Sequence, residues 1–312
     1  MARLFDSYVF IDWSAGNGLK PHRPAKDSIW VGEFSPGRNY SRQSYHRSRQ
    51  LGVQHVAGLL IEQIADGMRV LVGFDFPYGY PSGTARSLAP SSALVGWQTN
   101  WSCLAQVVED GADNVSNRFL AAAELNRMIG GVSPGPFWGC PAAKRSATLN
   151  STSPGFPYEG GSGPSLARLR IVEKRLPGTQ EVWKLYGVGC VGSQALVGIP
   201  CLSSLRGATR LRDYSKVWPF ETGFTTDPCP GSGPYVLHAE IWPGVVKLQT
   251  NNFMNTNSRM IRDRAQVRAM CEWASGLDEE GTLAGYFGPP KGLTPGLVSL
   301  CVEEEGWVLG AT

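Results

Sequence analysis

The chain is short of charge, of histidine and of long apolar runs. Asp, Glu, Lys and Arg make up 18% of its 312 residues, against ~25% in an average soluble domain. No stretch approaches the ~18 apolar residues that a bilayer-spanning helix needs. The seven cysteines (103, 140, 190, 201, 229, 271 and 301) contain no Cys-x-x-Cys pair. A zinc ribbon or a thioredoxin-like motif therefore has no footing, and free buried thiols in a reducing compartment are expected. Histidine occurs four times and Gly-x-Ser-x-Gly not at all, so a serine hydrolase triad is unsupported. Internal repeats are also missing.

What is there points to a loop-rich globular protein. Gly (38) and Pro (22) make about one residue in five and exclude a coiled coil. Trp (10), Tyr (10) and Phe (12) supply apolar surface for a core, which excludes disorder of the whole chain. The opening apolar run is short and broken by Asp12, which reads as a strand rather than a signal peptide; a cytoplasmic protein is expected, with no membrane partner. The net charge of +3 permits a polyanionic partner without demanding one.

The front of the chain has a readable order. Tyr8-Val9-Phe10-Ile11 reads as a buried strand, Ser28 to Phe34 as a second, and Arg42 to Arg49 as a solvated third. Leu51 to Met68 carries Val53, Val56, Ala57, Leu60, Ile61 and Ile64 at helical spacing. Arg69 to Phe74 is a fourth strand. Three antiparallel strands, a right-handed helical crossover and a parallel strand make the front half of a ribonuclease H-like α/β mixed sheet. Further on, 91–130 reads as helical, 130–163 as a long loop, and Ser165 to Leu176 as a basic helix. Gln180 to Tyr186 reads as a strand, and Ser193 to Leu205 as a helix interrupted by Pro200. Tyr235 to Ile241 is a strand, Asp263 to Trp273 a helix, and Val298–Val302 with Trp307–Leu309 a terminal hairpin. The economical division is one core, 5–90 and 233–312, with a large central insertion, 91–232.

Four acids stand where elements end or begin. Asp12 closes the first strand, Asp75 the fourth, Glu240 lies in the late strand and Asp263 opens the late helix. Ligands of open α/β sheets collect beyond the carboxyl ends of the strands. Carboxylates meeting there raise one another's pKa unless a cation neutralises them, and an oxygen-only cluster suits Mg²⁺ or Mn²⁺. Two such ions can drive phosphodiester hydrolysis. The bland alternative is that each acid caps its own turn or helix.

Phe10-Ile11-Asp12-Trp13-Ser14-Ala15, Gly73-Phe74-Asp75-Phe76-Pro77, Ala239-Glu240-Ile241-Trp242-Pro243, Arg262-Asp263-Arg264-Ala265-Gln266-Val267 and Glu305-Gly306-Trp307 together resemble domain-of-unknown-function family 429, described as predicted ribonuclease H-like nucleases. Pro136-Phe137-Trp138-Gly139-Cys140-Pro141, Val191-Gly192-Ser193-Gln194-Ala195-Leu196 and Val217-Trp218-Pro219-Phe220-Glu221-Thr222 resemble a bacterial subgroup of it. The resemblance spans nearly the whole chain. It implies the ribonuclease H-like fold and a metal set of Asp12, Asp75, Glu240 and Asp263.

Other motifs compete. Gly187-Val188-Gly189-Cys190-Val191-Gly192, with Asp213 about 20 residues on, matches a dinucleotide fingerprint. Pro200 argues against the helix that should follow; a phosphate held on backbone N–H groups is the milder version. His238-x-Glu240 lacks the Pro-Cys-x-x-Cys partner of zinc deaminases. Arg168, Arg170, Lys174, Arg175, Lys184, Arg206, Arg210, Arg212 and Lys216, with Phe137, Trp138, Tyr158 and Trp183, outline a basic aromatic surface suited to nucleic acid. The resulting expectation is a metal-dependent phosphodiester hydrolase, nuclease-like, acting on nucleic acid or a nucleotide-like phosphorylated substrate. Arg262, Arg264, His238 and Ser14 would contact that substrate, and loop 131–163 would close over it. The alternatives are the same fold acting on a small phosphorylated metabolite or nucleotide, and a non-catalytic binding module.

Overall fold

The computed structural model describes residues 3–38, 40–161, 163–229 and 231–312. Strands β1 (Ser7–Asp12), β2 (Ile29–Ser35) and β3 (Tyr40–His46) are followed by α1 (Arg49–Ala65) and β4 (Arg69–Phe74). Helices α2 (Thr84–Leu88), α3 (Gly96–Val107), α4 (Arg118–Gly130) and α5 (Gly192–Gly207) come next, then β5 (Ser215–Trp218) and β6 (Tyr235–Glu240). The chain ends with α6 (Lys247–Thr256), α7 (Arg262–Glu279), α8 (Leu283–Phe287), α9 (Pro295–Leu300) and one π-helical turn, Cys301–Glu305.

The strands form one mixed sheet, ordered β3-β2-β1-β4-β6-β5. β1, β2 and β3 pair antiparallel, and β4, β6 and β5 continue parallel to β1. The expected strand–strand–strand–helix–strand order is therefore present. β1, β4 and β6 are buried on both faces and read as continuous apolar runs for that reason.

Side-chain alternation divides these strands between two cores. Val9, Ile11, Val70, Val72 and Val236 join the core made with α1, α3, α4 and α5. Tyr8, Phe10, Leu71, Leu237, Ala239 and Ile241 join the core under α7 and α8. Gly32 lets α7 approach β2 closely, since a Cβ there would lie 2.7 Å from the Val267 carbonyl oxygen. No helix among the described residues is long and apolar enough to cross a membrane.

The structure departs from the sequence reading in definite places. Segment 165–176 forms turns rather than a basic helix, because Arg170 is drawn inward onto Glu173 and Glu240. Segment 180–186 forms no strand; it makes a single bridge between Lys184 and Trp138. Pro200 sits inside an unbroken α5. The third strand stops at His46, because the Ser48 hydroxyl accepts the Leu51 N–H and caps α1, so that Arg49 is already helical.

The terminal hairpin is replaced by α9 and the π-helical turn. There the Glu304 carboxylate accepts the N–H groups of Gly83 (2.8 Å) and Ala85 (2.6 Å), and Glu305 those of Ser82 (2.9 Å) and Ile171 (2.6 Å). Segment 91–232 supplies edge strand β5, and its helices α3, α4 and α5 pack in the same core as α1.

Candidate functional site

The register explains which acids meet. Ile11 lies opposite Phe74 in the β1–β4 ladder, so Asp12 and Asp75 leave the sheet side by side. Both follow the parity of Phe10 and Gly73, toward α7. Asp263 stands in the first turn of α7, where a carboxylate is favoured by the helix dipole.

Asp12 is 9% exposed, and its carboxylate has no hydrogen-bond donor among the described residues. One oxygen of Asp75 accepts the Trp13 N–H (2.6 Å), and one of Asp263 accepts the Asp27 N–H (2.7 Å). Asp27 holds φ 52°, a left-handed conformation uncommon outside glycine.

Electrostatics mark the trio. Burial, followed by the charges of Asp75, Asp263 and Asp27, pushes the Asp12 carboxyl well above the usual range. Burial and Asp263 do the same to Asp75, against the opposing Trp13 hydrogen bond. Asp263 is raised mainly by burial. Among the described residues, no lysine, arginine or histidine forms an ion pair with any of the three.

Asp12 and Asp263 line an open cleft of about 890 Å³. Its opposite wall is the Gly187-Val188-Gly189-Cys190 turn and the first residues of α5. Arg262 and Arg118 also line it. Arg262 is exposed, and Arg118 donates to the Asn17 and Ser116 side chains and lies over the Phe119 ring. Ser14 lines the same cleft and fixes its rim, donating to the Asp27 carbonyl (2.7 Å) and accepting the Gly16 N–H (3.0 Å). The buried Arg49 guanidinium holds that rim from behind through the Ser14 and Gly16 carbonyls, both at 3.0 Å.

Glu240 is not with the trio. It lies opposite Phe74 in the β4–β6 ladder and so points to the other face of the sheet. Both its oxygens are engaged by Arg170, at 2.6 and 2.8 Å, and one also accepts the Tyr78 N–H at 2.9 Å. His238 shares that face. It is fully buried, 3.4 Å from the Ser215 hydroxyl, with its pKa lowered by burial to about 3, and it lines neither the cleft nor its neighbour. Arg264 is exposed and outside the cleft lining.

Part of the expected basic aromatic surface is buried or paired. Phe137, Tyr158 and Trp183 are buried, while Arg168, Arg170 and Arg206 are ion-paired to Glu181, Glu240 and Glu221. Among the described residues, none that lines the cleft or the adjoining cavity comes from loop 131–163; the 185–190 turn forms the wall instead. That turn follows no strand, so the dinucleotide fingerprint lacks its context. Asp27, Arg118, Gln194 and Gln266 also line the site. Their only sequence signals were a polar residue before a strand and isolated polar positions on helices.

Compared with known protein families, curated proteins and solved structures, the chain matches none.

Proposed function

We propose that the chain is a metal-dependent phosphodiester hydrolase of ribonuclease H-like fold, with Asp12, Asp75 and Asp263 as its metal-holding set. The observation that carries this reading is the convergence of three carboxylates from distant chain positions, two at the ends of neighbouring parallel strands and one on α7, with no cation among the described residues paired to them. The strand order supports the fold assignment.

The donor set is oxygen-only, which suits Mg²⁺ or Mn²⁺. As the side chains stand, no three His, Cys, Asp or Glu residues among those described are grouped tightly enough to hold an ion. Asp12 carries the free carboxylate, and Asp75 and Asp263 each have one oxygen committed to a backbone N–H. When bound, the ion supplies Lewis acidity toward a phosphoryl oxygen and water. Arg262 and Arg118 border the cleft where the charge of a phosphate would fall.

Labelled single-stranded, duplex and hybrid oligonucleotides, together with nucleoside phosphates, test the reading in Mg²⁺ and Mn²⁺. Hydrolysis of at least one is expected, with Asp75→Asn lowering the rate about a hundredfold or more, the scale of losing one electrostatic stabiliser of a transition state. Equal rates in wild type and Asp75→Asn would refute it.

A further inference from the structure

Beside the acidic cleft lies a second, smaller cavity of about 260 Å³, just under the ~300 Å³ at which drug-sized ligand sites begin. Asp75 stands at its edge, and Gln194, Gln266 and Cys190 line both spaces, so the two communicate past the acids. Its floor is the buried Arg170–Glu240–Glu173 network, one guanidinium against two carboxylates. Such a floor repels a phosphate and tolerates a neutral ring.

One wall is the Trp242 indole, which lies so closely over Gly244 that a Cβ there would come within 2.3 Å of its Cζ2. Gly178, at φ +98°, lies beside the same ring, where a Cβ would stand 3.5 Å from Cζ2. Among the described residues, the Gln180 and Gln266 amides have no hydrogen-bond partner, and Gln194 spends only its Nε2, on the Trp13 carbonyl. The cavity thus joins an aromatic wall to spare amide donors and acceptors, the two means by which proteins hold an isolated base.

We propose that this cavity binds one planar, uncharged heterocycle, a nucleobase, so that the substrate enters as a single nucleotide unit (a nucleoside phosphate or a strand end) rather than as an intact duplex. The inference rests on the phosphodiesterase reading for its phosphate half only. The base stacks on Trp242 and meets Gln180 and Gln266, while the attached phosphate reaches past Asp75 toward Asp12 and Asp263.

The test is calorimetric titration of the whole protein with adenosine, guanosine, cytidine, uridine and their 5′-monophosphates, with ribose 5-phosphate as control, in Ca²⁺. At least one nucleoside should bind, its monophosphate more tightly, and ribose 5-phosphate more weakly than either. Trp242→Ala and Gln266→Ala should each weaken the nucleoside, Trp242→Ala by about tenfold, and leave ribose 5-phosphate unchanged. The second variant guards against Trp242→Ala failing to fold. Asp12→Asn should keep nucleoside binding, so loss of metal response in that variant bears on the hydrolase reading and not on the cavity. No binding of any nucleoside, or binding that both cavity variants leave untouched, would overturn the proposal.

Discussion

Arg170→Met should be the most destabilising single substitution in this protein away from its apolar cores. Arg170 is about 1% exposed and serves Glu240 through two nitrogens, Glu173 at 2.9 Å and the Glu305 carbonyl at 2.8 Å. Removing the guanidinium strands two buried carboxylates together. Breaking a buried pair from one side costs about 3–5 kcal/mol, because the remaining charge is left uncompensated. The loss also frees the carbonyl that ties the C-terminal turn to segment 170–173. Thermal unfolding should report a fall of about 5–8 °C, the stated loss divided by an unfolding entropy of ~2.1 cal/mol/K per residue, and exchange protection should drop first in the turn at 301–305. A variant that melts with wild type would mean the network contributes nothing. Glu240→Gln removes one charge and keeps the shape, so it should destabilise less. Because the Glu240 oxygens are committed to Arg170 and the Tyr78 N–H, that variant should keep the response to divalent cations.

Asp12→Asn should do the reverse and stabilise the metal-free protein. Its carboxyl is pushed up by burial and by three neighbouring carboxylates, so the ionised form is held at a cost in the folded state. For an acid whose folded pKa lies above its unfolded value of ~3.9, folding takes up protons. The penalty is absent below that value, grows as pH rises through the interval up to the folded pKa, and is complete above it. Asp12→Asn should therefore gain about 0.5–2 kcal/mol at neutral pH, the usual yield of relieving one strained functional position. The advantage should shrink as pH falls toward 4, where the native carboxyl is already protonated. Melting curves of both proteins between pH 4 and 8 without divalent ions read this directly. A variant less stable than wild type at neutral pH would show that Asp12 is a structural cap.

The sheet was largely legible in the sequence, and its second acid face was not. β1, β2, β4 and β6 announced themselves as short apolar runs stopped by turns, and α1 by its apolar spacing. Asp12, Asp75 and Asp263 stand out in the sequence because each lies at an element end. Glu240 was misplaced because β6 is buried on both faces, so its sequence carries no polar alternation to tell which side a residue takes. Only its register against Phe74 decides. The same long-range pairing hid the rest. Arg170 reads as part of a basic helix until Glu240, seventy positions away, draws it inward. Glu303-Glu304-Glu305-Gly306 reads as the turn of a terminal hairpin until the backbone N–H groups of 82–85 claim two of its carboxylates. Arg118 and the 187–190 turn reach the cleft only because α4 and α5 pack against the sheet.

The central claim is that Asp12, Asp75 and Asp263 share a divalent cation. Titrating metal-free protein with Mn²⁺ while following thermal unfolding tests it most directly, across wild type, Asp12→Asn and Glu240→Gln. At a hundredfold excess over Kd a single site adds about 2.7 kcal/mol of stability. The account predicts a saturable rise in Tm for wild type and for Glu240→Gln, and none for Asp12→Asn. A wild-type curve flat in Mn²⁺ and Mg²⁺, or a rise that Asp12→Asn retains, would contradict it.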